Sequence, residues 1–260
     1  MLKLVVTDVD GTLMNDRSEV PLEIFDLIKS MQAQHIRFVV ASGRQIKDLK
    51  RIFNGLNDIY YIAQNGSYIE VDGIEFRSVV IPTECIKLIV SLAYECGLFP
   101  MFYTKDTLLI QDNDPRFIEK LKGYKVDFTY IDKVDFNAEI GKVSLISLDE
   151  NVGSFKDRFS SLENLDTYLS CADLLDINLA NCNKGEALNL IQSKLGITPE
   201  ETMSFGDAEN DIPLFASSLY SYAMMNAPSS VKRYANNIAP SNNANGVVKV
   251  LSQVLSGLGC

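Results

Sequence analysis

The sequence has no tryptophan, a single histidine and a deficit of positive charge. Lys and Arg number 24 against 34 for Asp and Glu, so the net charge is 24 − 34 = −10. This balance argues against nucleic acid or an anionic membrane surface as a partner. The one histidine, His35, precedes a predicted strand on a surface turn, which excludes a metal site built from several histidines.

Long apolar runs and paired cysteines are also missing. No run approaches the roughly 20 residues that cross a bilayer, and no leader with a cleavage site precedes the first predicted strand. Without a Gly-x-Ser-x-Gly motif, a serine-esterase site is not predicted. The cysteines form no Cys-x-x-Cys pair, and they are Cys85, Cys96, Cys171, Cys182 and Cys260. We therefore expect reduced thiols in a cytoplasmic protein, whose 260 residues suffice for two domains.

The first apolar segment ends in two acidic residues. Residues 4–6 predict a strand buried on both faces, and Asp8 and Asp10 follow it directly. Carboxylates this close repel each other unless a cation or a proton intervenes, and an ordinary Asp-Gly turn needs only one of them. We therefore favour a Mg²⁺ site with a carboxylate nucleophile. An EF-hand loop is excluded, because Thr12 and Leu13 stand where it needs an acidic or amide residue and a glycine.

A second predicted strand, residues 36–41, leads into Ser42-Gly43-Arg44 and a predicted helix at 45–53. Backbone N–H groups between a strand and a helix can bind an anion. Ser42 is then either a helix cap or a phosphate contact. Arg44 either reaches the phosphate or leaving group of a substrate or faces solvent.

Two further motifs follow near the end of the chain. Lys184 lies in the first turn of a predicted helix, where the helix dipole disfavours a cation, so it has either another use or a solvated side chain. The predicted strand 202–205 ends at Gly206-Asp207, with Asn210 and Asp211 close behind. Asp207 is either a helix cap or a third strand-end carboxylate. Because parallel strands meet at their carboxyl ends, one crevice could gather all these groups.

Residues 82–181 alternate between helix and strand patterns and contain no catalytic cluster. Their 10 Lys and Arg against 17 Asp and Glu give a charge of −7, which is unsuited to polyanions. Thr83 is predicted to cap a helix that runs to Cys96. A strand is predicted over 142–148 and a helix over 154–162. The segment is predicted to be a separate α+β insert.

Asp8-Val9-Asp10-Gly11-Thr12-Leu13 resembles the first motif of the haloacid dehalogenase-like hydrolases. The later motifs resemble the Cof-type branch of that family, which contains small-molecule phosphatases. Ala223-Met224-Met225-Asn226-Ala227 resembles the Cof-type Ala-Met-Gly-Asn-Ala, with Met225 in place of glycine. The resemblance implies an α/β fold, with a doubly wound, Rossmann-like parallel-sheet core formed by residues 1–81 and 182–260. It also implies that residues 82–181 are an inserted α+β cap that sets substrate specificity.

The resemblance further implies a Mg²⁺-dependent phosphatase of small phosphorylated metabolites, as a monomer or small homo-oligomer. A phosphomutase and a non-catalytic phosphate- or Mg²⁺-binding module remain alternatives. In the implied mechanism Asp8 is the nucleophile and Asp10 is the acid and base. The other implied roles are Mg²⁺ ligation by Asp8, the Asp10 carbonyl and Asp207, phosphoryl stabilisation by Ser42 and Lys184, substrate binding by Gly43, Arg44 and Asn210, and support by Thr12 and Asp211.

Overall fold

The computed structural model describes residues 1–124, 126–132, 138–149 and 151–258. These residues form two compact units. Unit 1 comprises Met1–Arg77 and the chain from Asn183 onward, and unit 2 comprises Ser78–Cys182. Four of the five cysteines are free thiols, and Cys260 lies outside the described residues. Within the described ranges, no helix combines the length and the apolar character needed to cross a membrane.

Strands and helices alternate along most of the chain. In chain order they are β1 (Leu4–Thr7), α1 (Glu23–Ala33), β2 (Arg37–Ala41), α2 (Ile46–Ile52), β3 (Ile59–Ala63), β4 (Tyr68–Val71), β5 (Ile74–Ser78), α3 (Thr83–Glu95), β6 (Phe99–Thr104), β7 (Leu108–Ile110), α4 (Pro115–Gly123), β8 (Phe128–Tyr130), β9 (Ile140–Ile146), α5 (Lys156–Ser160), β10 (Leu165–Cys171), β11 (Leu174–Leu179), α6 (Lys184–Leu195), β12 (Thr202–Gly206), α7 (Ile212–Ala216), β13 (Tyr220–Met224), α8 (Ser229–Lys232), β14 (Asn237–Ala239) and α9 (Gly246–Leu258).

Unit 1 is built on one sheet, whose eight described strands lie in the order β14-β13-β12-β1-β2-β3-β4-β5. The six strands from β14 to β3 are parallel, and β4 turns back antiparallel beside β3. β1 lies between β2 and β12, so its carboxyl end is near the centre of the edge of the sheet at which the parallel strands end. The predicted α/β class and parallel core are confirmed.

Helices cover both faces of this sheet because the central strands are apolar on both sides. Val5 of β1 packs in a core cluster with Ile28 of α1 and Leu251 of α9. Leu4 on the opposite face packs with Leu188 of α6. A strand buried on both faces reads as a continuous apolar run, which is the pattern of residues 4–6.

Unit 2 has its own sheet, with its described strands in the order β10-β11-β9-β6-β7-β8. Phe102, Val143 and Leu175 pack with residues of α3 and α5 in one core cluster. Met101 and Ile146 pack with residues of α4 in another. Unit 2 therefore contains apolar cores of its own, as an independently folded insert requires.

In unit 2, two local predictions differ from the structure and one strand was missed. Thr83 is the first residue of α3 rather than its cap, a position held by Pro82 with no side-chain hydrogen bond. Strand β8 was not predicted, because its three residues, a partly buried Phe128 followed by the exposed Thr129 and Tyr130, are too few to show a period-2 pattern. The predicted helix at 154–162 is a 3₁₀ turn at Val152–Phe155 followed by the short α5.

Candidate active site

The site is centred on Asp8, the first residue after β1. Its carboxylate is buried, and one of its oxygens accepts a hydrogen bond of 2.6 Å from Nζ of Lys184. The same ammonium donates to Asp211 at 2.6 Å and is wholly inaccessible to solvent. The alternative of a solvated Lys184 is therefore excluded.

Lys184 reaches this position because α6 begins at it. The side chain of Asn183 accepts from the backbone N–H of Glu186 and caps the helix. Gly185 follows where a Cβ would collide with the backbone of Pro213 in α7. The close approach of α6 and α7 thus places Lys184 beside Asp211 and Asp8.

The electrostatics of the site are strongly perturbed. Burial raises the pKa of Asp8 well above its ordinary value, against the lowering effect of Lys184. Burial also raises the pKa of Asp207 to about 7, and the nearby charge of Asp211 adds to that rise. For Lys184, burial disfavours the ammonium, but the carboxylates of Asp211 and Asp8 outweigh it and raise its pKa. Three carboxylates around one ammonium leave the site short of positive charge.

Asp207 follows β12, so the carboxyl ends of two adjacent strands present Asp8 and Asp207 together. Thr12 donates to a carboxylate oxygen of Asp207 at 2.7 Å. Gly11 has a φ of 76°, and a Cβ there would collide with the same carboxylate. Glycine is therefore required at this turn both for its backbone conformation and for the approach of Asp207.

Oxygen ligands from Asp8, Asp207 and Asp211 lie within 4.8 Å of one another and could hold a metal ion. Asp211 is the least available of the three. One of its oxygens accepts from Lys184, and the other accepts from the backbone N–H groups of Asp207 and Ala208. Asp8 and Asp207 thus remain as carboxylate ligands in an oxygen-only set with excess negative charge. This donor set fits a hard divalent cation.

Of the two alternatives for Asp207, the helix cap is not observed, because Asp211 takes that structural role. Its carboxylate collects the two N–H groups at the turn after β12 and also fixes Lys184. Gly206 lies so close that a Cβ there would collide with the Asp211 side chain.

Asp10 and Arg44 form a pair that neither sequence alternative for Arg44 anticipated. Nε of Arg44 donates to Oδ2 of Asp10 at 2.7 Å, and Nη2 donates to Oδ1 at 2.6 Å. These hydrogen bonds raise the pKa of Arg44. The side chain of Asp10 is 52% exposed and that of Arg44 is 19% exposed.

Ser42 does not cap the following helix. Helix α2 begins at Ile46 after Gln45, and the buried Ser42 hydroxyl accepts from the backbone N–H of Arg44 at 3.2 Å. Gly43 lies between them in this loop. Ser42 thus shapes the loop that carries Arg44, and it sits at the carboxyl end of β2, next to β1.

Asn210 is buried beside the site and donates to the side chain of Asn65 at 3.0 Å. Asn65 follows β3, has a φ of 58°, and its backbone N–H donates to the Ser42 carbonyl. Asn65 was not among the predicted site residues. The family resemblance places an Asn near the mouth of the site at this position, but an Asn-Gly pair after a strand is so common in turns that it was left out.

Asn226 is a second residue whose position was not foreseen. Its side-chain amide donates to the Gly11 carbonyl at 2.8 Å and accepts from the backbone N–H of Asn242 at 3.0 Å. Asn242 also donates to the Met14 carbonyl at 3.1 Å. These bonds connect the end of β13 and the start of the last helix to the loop that carries Asp10. Met225, which replaces the Cof-type glycine, is 57% exposed and stands outside this set of bonds.

The family model of haloacid dehalogenase-like hydrolases matches residues 5–251. The chain belongs to the haloacid dehalogenase-like hydrolases. The resemblance seen in the sequence motifs is thereby confirmed.

Relatives of this haloacid dehalogenase-like hydrolase match it over most or nearly all of the chain. The 5-amino-6-(5-phospho-D-ribitylamino)uracil phosphatase YbjI of Escherichia coli is 28% identical, over 98% of this chain and 96% of its own. The HMP-PP phosphatase of Yersinia enterocolitica is 24% identical, over 81% and 79%. The crystal structure of SMU.1108c from Streptococcus mutans has a TM-score of 0.91 at 25% identity, covering 98% and 100%.

Proposed function

We propose that the protein is a Mg²⁺-dependent phosphatase that hydrolyses small phosphomonoesters, such as sugar phosphates, through an aspartyl-phosphate intermediate. The observation that carries this proposal is the buried Asp8 carboxylate, held by Lys184 and adjacent to Asp207. A carboxylate nucleophile beside an ammonium and a second carboxylate suits attack on a phosphoryl group with a bound cation. Family membership and the phosphatase names of both relatives support it.

In the proposed first step, the Asp8 carboxylate attacks phosphorus, and the bond from phosphorus to the ester oxygen breaks. Asp10 donates a proton to the departing alcohol. In the second step a water molecule gives its proton to Asp10 and attacks the aspartyl phosphate. This releases inorganic phosphate and restores Asp8.

The other polar groups would stabilise charge on the transferring phosphoryl group. Lys184 supplies a fixed positive charge at Asp8, and Ser42 offers a hydroxyl at the adjacent strand end. Mg²⁺, held by Asp8, Asp207 and the Asp10 carbonyl, would offset the negative charge of nucleophile and phosphate. Gly43 and Asn210 are proposed to contact the substrate.

A turnover screen across phosphorylated metabolites tests the function. We expect at least one phosphomonoester to release inorganic phosphate with a kcat/KM of about 10⁴ M⁻¹s⁻¹ or more. Isomerised product in place of phosphate would identify a phosphomutase. Binding of phosphate and Mg²⁺ without turnover of any substrate would reject the enzyme assignment.

Mg²⁺ should stabilise the protein more at pH 8 than at pH 5.5. The pKa values of Asp8 and Asp207 are raised in the fold, so the metal-free folded state binds more protons than the unfolded chain at intermediate pH. The stability from these two protonated carboxyl groups is therefore lost as pH rises above about 4, and for Asp207 the loss extends through about 7. A cation replaces the lost protons. Differential scanning fluorimetry in EDTA and in Mg²⁺ should show a larger rise in Tm at pH 8, about 2–4 °C per kcal/mol of binding.

Asp207→Asn is the control for this measurement, since it removes a carboxylate ligand while preserving an acceptor for Thr12. In this variant we expect little Mg²⁺-dependent change in Tm at either pH. Activity of the wild type should vanish in EDTA and return with Mg²⁺ but not Ca²⁺, whose longer bonds and variable geometry misplace the phosphate. An equal Tm shift at both pH values would contradict the assignment of the cation site.

Unit 2 is proposed to determine which phosphomonoester is accepted. It interrupts unit 1 between β5 and α6 and has its own apolar cores. A variant with residues 78–182 replaced by a short Gly-Ser linker should still hydrolyse p-nitrophenyl phosphate, because that leaving group needs little assistance. It should lose most discrimination among metabolite phosphates. An unchanged ranking of natural substrates would show that unit 2 does not set specificity.

A further inference from the structure

The pairing of Arg44 with Asp10 conflicts with the role proposed for Asp10. Both oxygens of the Asp10 carboxylate accept hydrogen bonds from the guanidinium, at 2.6 and 2.7 Å. A general acid must carry its proton on one of these oxygens and present it to the leaving alcohol. In the two-bond pair both oxygens act as acceptors toward the guanidinium, whereas a proton-donating carboxyl must carry a hydrogen on one of them. The paired arrangement of Arg44 and Asp10 is therefore that of the site before substrate binds.

Two backbone hydrogen bonds also fix the position of Arg44. Its N–H donates to the Ser42 hydroxyl at 3.2 Å, and its carbonyl accepts from the Gln64 N–H at 2.9 Å. The backbone of Arg44, from which the side chain extends, is therefore fixed by hydrogen bonds within the loop after β2 and to the loop after β3. The guanidinium can change partners by rotation of its own side chain, with the backbone in place.

A phosphoryl group bound at Asp8 would be a competing partner for this guanidinium. The planar guanidinium donates two parallel hydrogen bonds to a phosphate as readily as to a carboxylate. A phosphomonoester at neutral pH carries close to two negative charges, against one on Asp10. The loops that carry Asp10 and Arg44 follow adjacent strands, β1 and β2, so the competitor would arrive at the same crevice edge.

We propose that Arg44 is a substrate-operated latch, which holds Asp10 in the resting site and releases it when the phosphoryl group takes over the guanidinium. This inference rests on the proposed phosphatase function. Arg44 then has two roles, as a positioning residue for Asp10 and as a binding residue for the dianion. Ligands that lack a doubly charged group leave the latch closed, which makes Arg44 a determinant of selectivity for monoesters over diesters.

Crystal structures of the wild type with Mg²⁺ alone and with Mg²⁺ plus orthovanadate test the latch directly. With Mg²⁺ alone we expect both hydrogen bonds between Arg44 and Asp10. With vanadate bound at Asp8 we expect a guanidinium nitrogen about 3 Å from a vanadate oxygen and Asp10 free of Arg44. An intact Arg44–Asp10 pair in the vanadate complex would overturn the proposal.

Steady-state kinetics on phenyl phosphate distinguish two roles for Arg44. As a latch it releases Asp10 when substrate binds, whereas as a permanent support it stays paired with Asp10 during the reaction. Arg44→Gln should raise KM about tenfold or more and change kcat less than about threefold, because the lost interaction is with the bound dianion. Arg44→Lys retains a positive charge that can bind the dianion, so its KM should lie much closer to the wild-type value than that of Arg44→Gln. If Arg44 instead supports Asp10 during the reaction, kcat falls and KM stays near its wild-type value, which overturns the latch.

Arg116→Gln is a matched control, because Arg116 makes the same kind of two-bond pair with Asp114 on the exposed surface of unit 2. We expect wild-type kinetics from it. A change in KM equal to that of Arg44→Gln would overturn the latch. A wild type that turns over no phosphomonoester rejects both the function and the latch, whereas an active wild type with a closed pair in the vanadate complex rejects the latch alone.

Discussion

Replacing Asp8 with asparagine should abolish phosphate release while leaving the fold intact. An amide is a poor nucleophile, so no aspartyl phosphate can form. We expect kcat to fall at least about 1,000-fold, which corresponds to roughly 4 kcal/mol in the barrier. The fold should persist because burial already disfavours the charge of Asp8, and Lys184 keeps its second partner Asp211. Release of inorganic phosphate and thermal unfolding measure the two effects.

Asp26→Asn is the control for this substitution, since Asp26 is 88% exposed on α1 and takes part in none of the site contacts described above. It should keep full activity. Rapid acid quench with radiolabelled substrate should also trap labelled wild-type protein and no labelled Asp8→Asn protein. An Asp8→Asn variant that retains more than about 1% of activity would remove Asp8 from the role of nucleophile, since that loss is under 3 kcal/mol.

Replacing Lys184 with methionine should reduce both stability and activity severely. The ammonium is wholly buried between Asp8 and Asp211, and its loss leaves two carboxylates facing each other without a counter-charge. Removing one partner from a buried ion pair costs about 3–5 kcal/mol. In EDTA at pH 8 we expect urea unfolding to show a loss of that size. Lys194→Met on the same helix, with an exposed ammonium over the Phe76 ring, should change neither property strongly.

A double variant separates the two effects of Lys184. Lys184→Met combined with Asp211→Asn removes one of the unpaired charges and preserves an acceptor for the two backbone N–H groups at that turn. Part of the lost stability should return, because the two sites are coupled. Activity should not return, since Asp8 still lacks its ammonium. A single variant as stable as the wild type would contradict the charge balance described for the site.

The assembly of Asp8, Asp207 and Lys184 was predictable from sequence because it depends on the backbone. Two apolar strands ending in carboxylates, taken as parallel neighbours, have their ends at one edge of the sheet. β1 and β12 are such neighbours, in register from Leu4 and Thr202. A lysine at a helix start against the dipole was a usable signal for the third group.

The contacts of Asp10 and Asn226 could not be predicted in the same way. They depend on side-chain directions set by loops, at Gly11 with its positive φ and after β2, β3 and β13. Hydrophobic periodicity specifies where a strand ends but not where a loop side chain points. The pairing of Arg44 with Asp10 joins residues 34 positions apart through two such loops. No pattern in one sequence encodes that partner choice.

The two junctions between unit 1 and the inserted unit 2 differ in how well they tolerate a change of length when unit 2 is replaced by another insert. At the first, Ser78 ends an exposed edge strand. At the second, Asn183 caps α6, its carbonyl lies against Gly66 where a Cβ would collide, and Lys184 is the next residue. A foreign insert can therefore be spliced with variable length at its first end. At its second end, a shift of one residue would displace the lysine, so recombination must preserve that boundary.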